Sequence, residues 1–133
     1  MKNFLEKLKR ELEIRNFSKK TVKSYTYAVE RFLEYAQNKE LNEETVKIHI
    51  QILIAKQNPS TVSSNLSAIE FFFKKVLNKE IKLNHPKRNK TIPDILTQDE
   101  IRRLIGSSNN VKHKLILKLL YGCGFRVSEV IKN

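Results

Sequence analysis

Apolar residues along this chain recur mostly at helical spacing. Phe4, Leu5, Leu8 and Leu12 mark a short first helix that stops at FSKK. Ser18 then serves as N-cap, and Val22, Tyr25, Val29, Phe32 and Ala36 form the stripe of a second helix over about residues 19–38. VKIHIQILIA reads two ways. Val46, Ile48, Ile50 and Ile52 alternate as in a strand, whereas Val46, Ile50, Leu53 and Ile54 fit a helix. Asn42 followed by Glu43 and Glu44 favours the helix, because carboxylates suit the free amides of a first turn. Asn58 and Pro59 open a fourth helix whose buried face is Val62, Leu66, Ile69, Phe73 and Val76.

Four such helices cover one another's stripes, so residues 1–80 form a small helical domain. Residues 81–96, with LNHPKRNKTIP at their centre, combine prolines, polar residues and a basic run, and read as a linker. Residues 97–133 make a second unit. Thr97 and Glu100 form a capping box, Gly106 ends that helix, and residues 111–121 carry Leu115, Ile116, Leu119 and Leu120 before breaks at Gly122 and Gly124. A unit of this size rarely buries all its apolar stripes, so it reads as the beginning of a larger domain.

Charge narrows the function. Lys and Arg number 26 against 14 Asp and Glu, a net +12, which favours a polyanion, an acidic partner or an anionic surface, with nucleic acid leading. No run approaches the roughly 18–20 apolar residues that span a bilayer. MKNFLEKLKRELEIR also carries acidic residues at regular intervals, unlike a signal peptide. A soluble, cytoplasmic protein with no membrane partner is expected. Cys123 is alone and the three histidines are scattered, so neither a disulfide nor a metal site is indicated.

The closing GCGFRVSEV sets Arg126 after glycines that permit a tight turn. A guanidinium held there suits a phosphate, to which its planar fork donates two parallel hydrogen bonds. The alternative is an ordinary surface ion pair between Arg126 and Glu129, three residues on.

LTQDEIRRLI followed by KLILKLLYGCGFRVSEV resembles the opening of the catalytic domain of the tyrosine recombinases, the integrase and Xer-type site-specific enzymes. SKKTVKSYTYAVERFLEY and NPSTVSSNLSAIEFFFKK resemble the second and fourth helices of that family's core-binding domain. The resemblance implies an all-α fold: a four-helix SAM-like core-binding domain, a linker, and the first helices of a truncated catalytic domain. It makes Arg126 the first catalytic arginine, gripping the scissile phosphate, with Glu129, Ser128 and Gly124 in support. The family's lysine, its His-x-x-Arg pair, its later His or Trp and its tyrosine nucleophile would lie beyond Asn133, and Tyr25, Tyr27, Tyr35 and Tyr121 do not match the nucleophile's position. The 133 residues are therefore expected to bind DNA without cleaving it, with no metal or organic cofactor. Full-length relatives assemble as tetramers, or paired dimers, on double-stranded recombination sites.

Three sets of residues are candidates for DNA contact. Ser18, Lys19, Lys20, Thr21, Lys23 and Ser24 open the second helix; Ser60, Thr61, Ser63, Ser64 and Asn65 open the fourth; Lys87, Arg88 and Lys90 lie in the linker. Capping hydroxyls, a solvated lysine face and a flexible hinge are the plainer accounts of the same residues. Two other functions remain open: a helical protein-interaction module with Phe71–Phe73 as its contact patch, and a naturally shortened regulator that occupies recombination sites.

Overall fold

A computed structural model describes residues 1–88 and 90–132, and its helices follow the hydrophobic pattern closely. They are α1 (Lys2–Ile14), α2 (Lys19–Tyr35), α3 (Glu43–Ile54), α4 (Pro59–Lys75), α5 (Gln98–Ser107), α6 (Val111–Cys123) and α7 (Val127–Lys132). The chain divides into two units, Met1–Lys90 and Thr91–Asn133.

Side-chain caps start the helices of the first unit. Ser18 Oγ accepts the Thr21 amide at 3.2 Å, Asn42 Oδ1 that of Thr45 at 2.9 Å, and Asn58 Oδ1 that of Ser60 at 2.8 Å. Each satisfies a first-turn amide that has no partner within its helix. α1 closes with Asn16 in the left-handed region, at φ 57°. The Asn16 amide bonds Glu13 O and the Phe17 amide bonds Leu12 O, the paired reversal that turns the chain out of a helix. This is the physical content of the FSKK interruption. α2 ends at Tyr35 rather than near residue 38, with Ala36 as its C-cap.

The ambiguous third segment is helical. Val46, Ile50 and Leu53 are buried, while Ile48 and Ile52, the other members of the alternation, face outward. Ile54, assigned to the buried stripe by spacing, is also exposed, because the helix ends there and the stripe has rotated past it.

Packing centres on Phe32, Phe72, Phe73, Leu8, Leu12, Leu66 and Ile69, all fully buried. The phenylalanine run is therefore not the contact patch of an interaction module. Phe72 meets Phe4 edge-on at 5.9 Å and Phe73 lies 5.9 Å from Phe32, while half-buried Phe71 packs against Phe17 and Tyr25. Three consecutive rings span about 200° of helix circumference, and the bundle surrounds α4 widely enough to take them all.

His49 is buried in this core, its ring 5.4 Å from Phe32 and 5.1 Å from Tyr35. Burial, reinforced by the positive charges of Arg31 and Lys39, pushes its pKa down to about 4. The unfolded chain takes up this proton near pH 6.5, so acidification favours unfolding. The stability contribution is complete above about pH 6.5 and is lost as pH falls towards 4. We expect the native protein to lose about 2 kcal/mol through this group between about pH 7 and pH 5. Urea midpoints should show that increment, and His49→Leu should remove it.

In the second unit the Thr97–Glu100 capping box forms as the sequence predicts. The Thr97 amide bonds Glu100 Oε2 at 2.8 Å and the Glu100 amide bonds Thr97 Oγ1 at 3.3 Å. The helices end within a residue of the glycines expected to stop them: α5 runs one residue past Gly106, to Ser107, and α6 one past Gly122, to Cys123. Gly124 ends α6, at φ 64°, where a side chain would strain the backbone. No residue described in this unit is fully buried. Leu104, Leu115, Tyr121, Phe125 and Ile131 are all exposed, and Cys123 is exposed too.

Candidate nucleic-acid interface

Lys19, Lys20 and Lys23 stand on the first turns of α2, exposed, with no acidic residue in the first turn itself. Cations at a helix N-terminus oppose the helix dipole. The arrangement is unfavourable for the isolated helix and favourable towards an anion placed among the lysines and free amides. None of the three pairs with a carboxylate among the described residues. They rim an open groove that also includes Phe17, Ser24 and Tyr27, with the carboxylates of Glu13 and Glu30 along it. Ser18 and Thr21 are committed to each other, their hydroxyls 2.9 Å apart, so capping accounts for both.

α2 packs against α4, and one cleft draws on both helices. Ser24 lines a cleft of about 220 Å³ together with Thr61 and Asn65, joining two candidate sets that are far apart in sequence. The same cleft contains Tyr27, Arg31 and Gln57, which the sequence reading missed. Asn65 Nδ2 donates to Gln57 Oε1 at 3.2 Å, and the Arg31 guanidinium lies 5.8 Å from the Tyr27 ring centre. An arginine and a pair of amides at one opening offer hydrogen bonds suited to the edges of purines. The missed signal was periodicity: Ser24, Tyr27 and Arg31 recur three and four residues apart on one face of α2.

Ser60 and Ser64 are exposed, and the Ser64 hydroxyl donates to Ser60 O at 3.1 Å. Ser63 does not stand on that open surface. It is 5% exposed, and its Oγ lies 2.8 Å from His85 Nδ1. In the segment after α4, Lys87, Arg88 and Lys90 are exposed, but the segment is no free hinge up to Arg88. Ile81 and Leu83 pack against the core, and Arg88 Nη2 donates to Ser63 Oγ at 3.4 Å.

Arg126 stands in the turn between Gly124 and α7. Its backbone amide donates to Glu129 Oε2 at 2.8 Å, and its carbonyl accepts the amides of Glu129 and Val130. Glu129 thus caps α7 through the main chain of Arg126 instead of forming the surface ion pair. The guanidinium has no ion pair or hydrogen bond among the described residues, and the residue is exposed. Ser128 is exposed as well.

Among the described residues no group of three or more His, Cys, Asp or Glu side chains is placed to hold a metal ion, and no helix is long and apolar enough to cross a membrane.

Known proteins extend this picture. Residues 4–83 match the family described as "Phage integrase, N-terminal SAM-like domain". The chain is 37% identical over 134 residues to a protein named tyrosine recombinase XerA from Pyrococcus horikoshii, covering 96% of this chain and 45% of that protein. It is 32% identical over 136 residues to a tyrosine recombinase of Thermosipho africanus, covering 88% of this chain and 48% of that one. A crystal structure of XerA recombinase shares the fold at TM-score 0.57 and 23% identity, over 90% of this chain and 45% of that chain. The chain thus spans just under half the length of these relatives. A SAM-like helical domain matched over most of the first unit, followed by helices that extend the similarity through the Arg126 turn, shows that the chain belongs to the tyrosine recombinase/phage integrase family.

Proposed function

We propose that the first unit is a DNA-gripping domain and that Arg126 supplies one phosphate-binding arginine of a strand-exchange site. The observation that carries the first half is the meeting of Ser24 and Arg31 from α2 with Thr61 and Asn65 from α4 at one cleft, flanked by the unpaired lysines of α2. Lys19, Lys20 and Lys23 meet backbone phosphates, which position the protein without reading sequence. Asn65, Gln57 and Arg31 face base edges, where amide and guanidinium groups discriminate.

At the second unit, the Arg126 guanidinium holds the scissile phosphate and opposes the charge that develops on its oxygens during transfer. Gly124 allows the turn, and Glu129 fixes the backbone from which the guanidinium projects. In the complete reaction a tyrosine hydroxyl attacks the phosphorus, a 3′-phosphotyrosyl bond forms and the 5′-hydroxyl leaves. A 5′-hydroxyl then attacks and restores the phosphodiester, so no nucleotide hydrolysis is needed. These 133 residues bind DNA without cutting it, since none of their tyrosines stands in the nucleophile's place. The partner is double-stranded DNA at a recombination site, with tetrameric assembly belonging to the longer protein.

Duplex binding measured across salt concentrations tests the interface. Replacing Lys19, Lys20 and Lys23 together by alanine should weaken binding and reduce the log–log salt slope by about two to three, nearly one for each phosphate no longer neutralised. A slope unchanged from the native protein would leave these lysines as solvated charges.

A further inference from the structure

α4 does not release the chain at its C-terminal end. Asn78 adopts a left-handed conformation, at φ 53°, and the following residues run back along the helix. Leu83 packs against the core and lines the surface between α3 and α4 with Ile50 and Leu66. His85 then bridges two points on α4. Its Nδ1 lies 2.8 Å from Ser63 Oγ, and its Nε2 lies 3.2 Å from Glu70 Oε2. Ser63 and Glu70 are seven residues apart, two turns on one face, so a single imidazole lies lengthwise against the helix.

Serine, histidine and glutamate joined in series resemble the relay of a hydrolase. Here the serine sits inside a helix at 5% exposure, and its oxygen also receives Arg88 Nη2 at 3.4 Å. An acyl substrate has no approach to it. What the arrangement does is satisfy a buried hydroxyl with a partner 22 residues away and hold the intervening chain.

We propose that His85 is a positioning residue for DNA binding. By clasping Ser63 and Glu70 it fastens residues 81–88 to α4 and holds Lys87 and Arg88 beside the half of α4 that carries Ser60, Thr61, Ser64 and Asn65. The proposal rests on the DNA-gripping reading above. A free basic segment would lose conformational freedom on meeting a duplex, whereas a fastened one has lost it during folding. The clasp also turns two candidate sets, well separated in sequence, into one surface.

Backbone NMR relaxation and duplex binding of the full chain test this. In His85→Ala the amide order parameters of residues 81–88 should fall from about 0.85 to about 0.6 or lower while those of α1 to α4 stay high, the behaviour of a locally released segment. Affinity for a duplex should fall about three- to tenfold, the loss of one modest interaction's worth of preorganisation. The same substitution in a Lys87→Ala/Arg88→Ala background should cost no further affinity, since the cations it positions are gone. His85→Asn, whose side-chain oxygen can accept from Ser63, should recover part of both effects. Unchanged order parameters at 81–88 in His85→Ala would overturn the clasp even if DNA binds normally. An equal affinity loss with and without Lys87 and Arg88 would overturn the positioning role. Failure of the native chain to bind duplex at low salt would instead sink the DNA-gripping reading, with the relaxation result still scoring the clasp.

Discussion

Replacing Arg126 by alanine is expected to lower strand cleavage by about a hundred- to a thousandfold, the usual loss when one preorganised group facing transition-state charge is removed. The measurement requires a recombinase that carries this chain joined to the rest of the catalytic domain, with nicked or covalently linked product scored against time. Duplex affinity should change far less, because many other cations still neutralise the backbone. The guanidinium is exposed and unpaired among the described residues, so its removal leaves no buried charge and disturbs no packing. Arg126→Lys should recover only a fraction of the activity, since an ammonium keeps the charge but lacks the planar fork. Cleavage at the native rate in Arg126→Ala would remove the residue from the site altogether.

The second large effect concerns stability. Phe72 is fully buried where α4 meets α1, edge-on to Phe4 and to Phe73, each at 5.9 Å. Phe72→Ala should cost about 3–5 kcal/mol, combining lost transfer energy with the cavity left behind. Domains of this size have only about 5–15 kcal/mol in total, so this one change would remove a large fraction of the helical unit's stability. A large fall in the urea midpoint, followed by far-UV circular dichroism, checks this. Phe71→Ala provides the contrast: its ring is half-buried under Phe17 and Tyr25, and a clearly smaller loss is expected.

These two residues also mark what can be read from the chain and what cannot. Features settled by neighbouring residues were legible. Ser18, Asn42, Asn58 and Thr97 each cap the helix expected of them, because the bond runs only two or three residues along the chain. The stripes of α1, α2 and α4 were legible for the same reason. Phe72 was not assigned to the buried face, since a four-residue repeat selects Phe73, and only the encircling bundle shows that both are covered. The ends of α5 and α6 were legible from Gly106 and Gly122, each helix running one residue further.

Interactions across long separations were invisible. Ser63 looked like one hydroxyl among several at a helix start, and its burial is tolerated because His85 and Arg88 reach it from 22 and 25 residues away. The cleft of Arg31, Gln57 and Asn65 exists because α2 and α4 lie adjacent, which no local pattern specifies. At Arg126 the sequence raised the correct pair and the wrong bond. Glu129 does reach back to residue 126, but to its amide rather than its guanidinium. A spacing of three residues permits both, and the turn at Gly124 decides between them.

The uncovered leucines and aromatics of α5 to α7 have a consequence for handling the protein. Strongly hydrated anions such as sulfate favour burial of apolar surface, whereas any added electrolyte weakens attraction between a cationic protein and a nucleic acid. Sulfate should therefore draw these 133 residues, taken alone, together through the apolar faces of α5 to α7 while weakening their attraction to DNA. Chloride should do mainly the second.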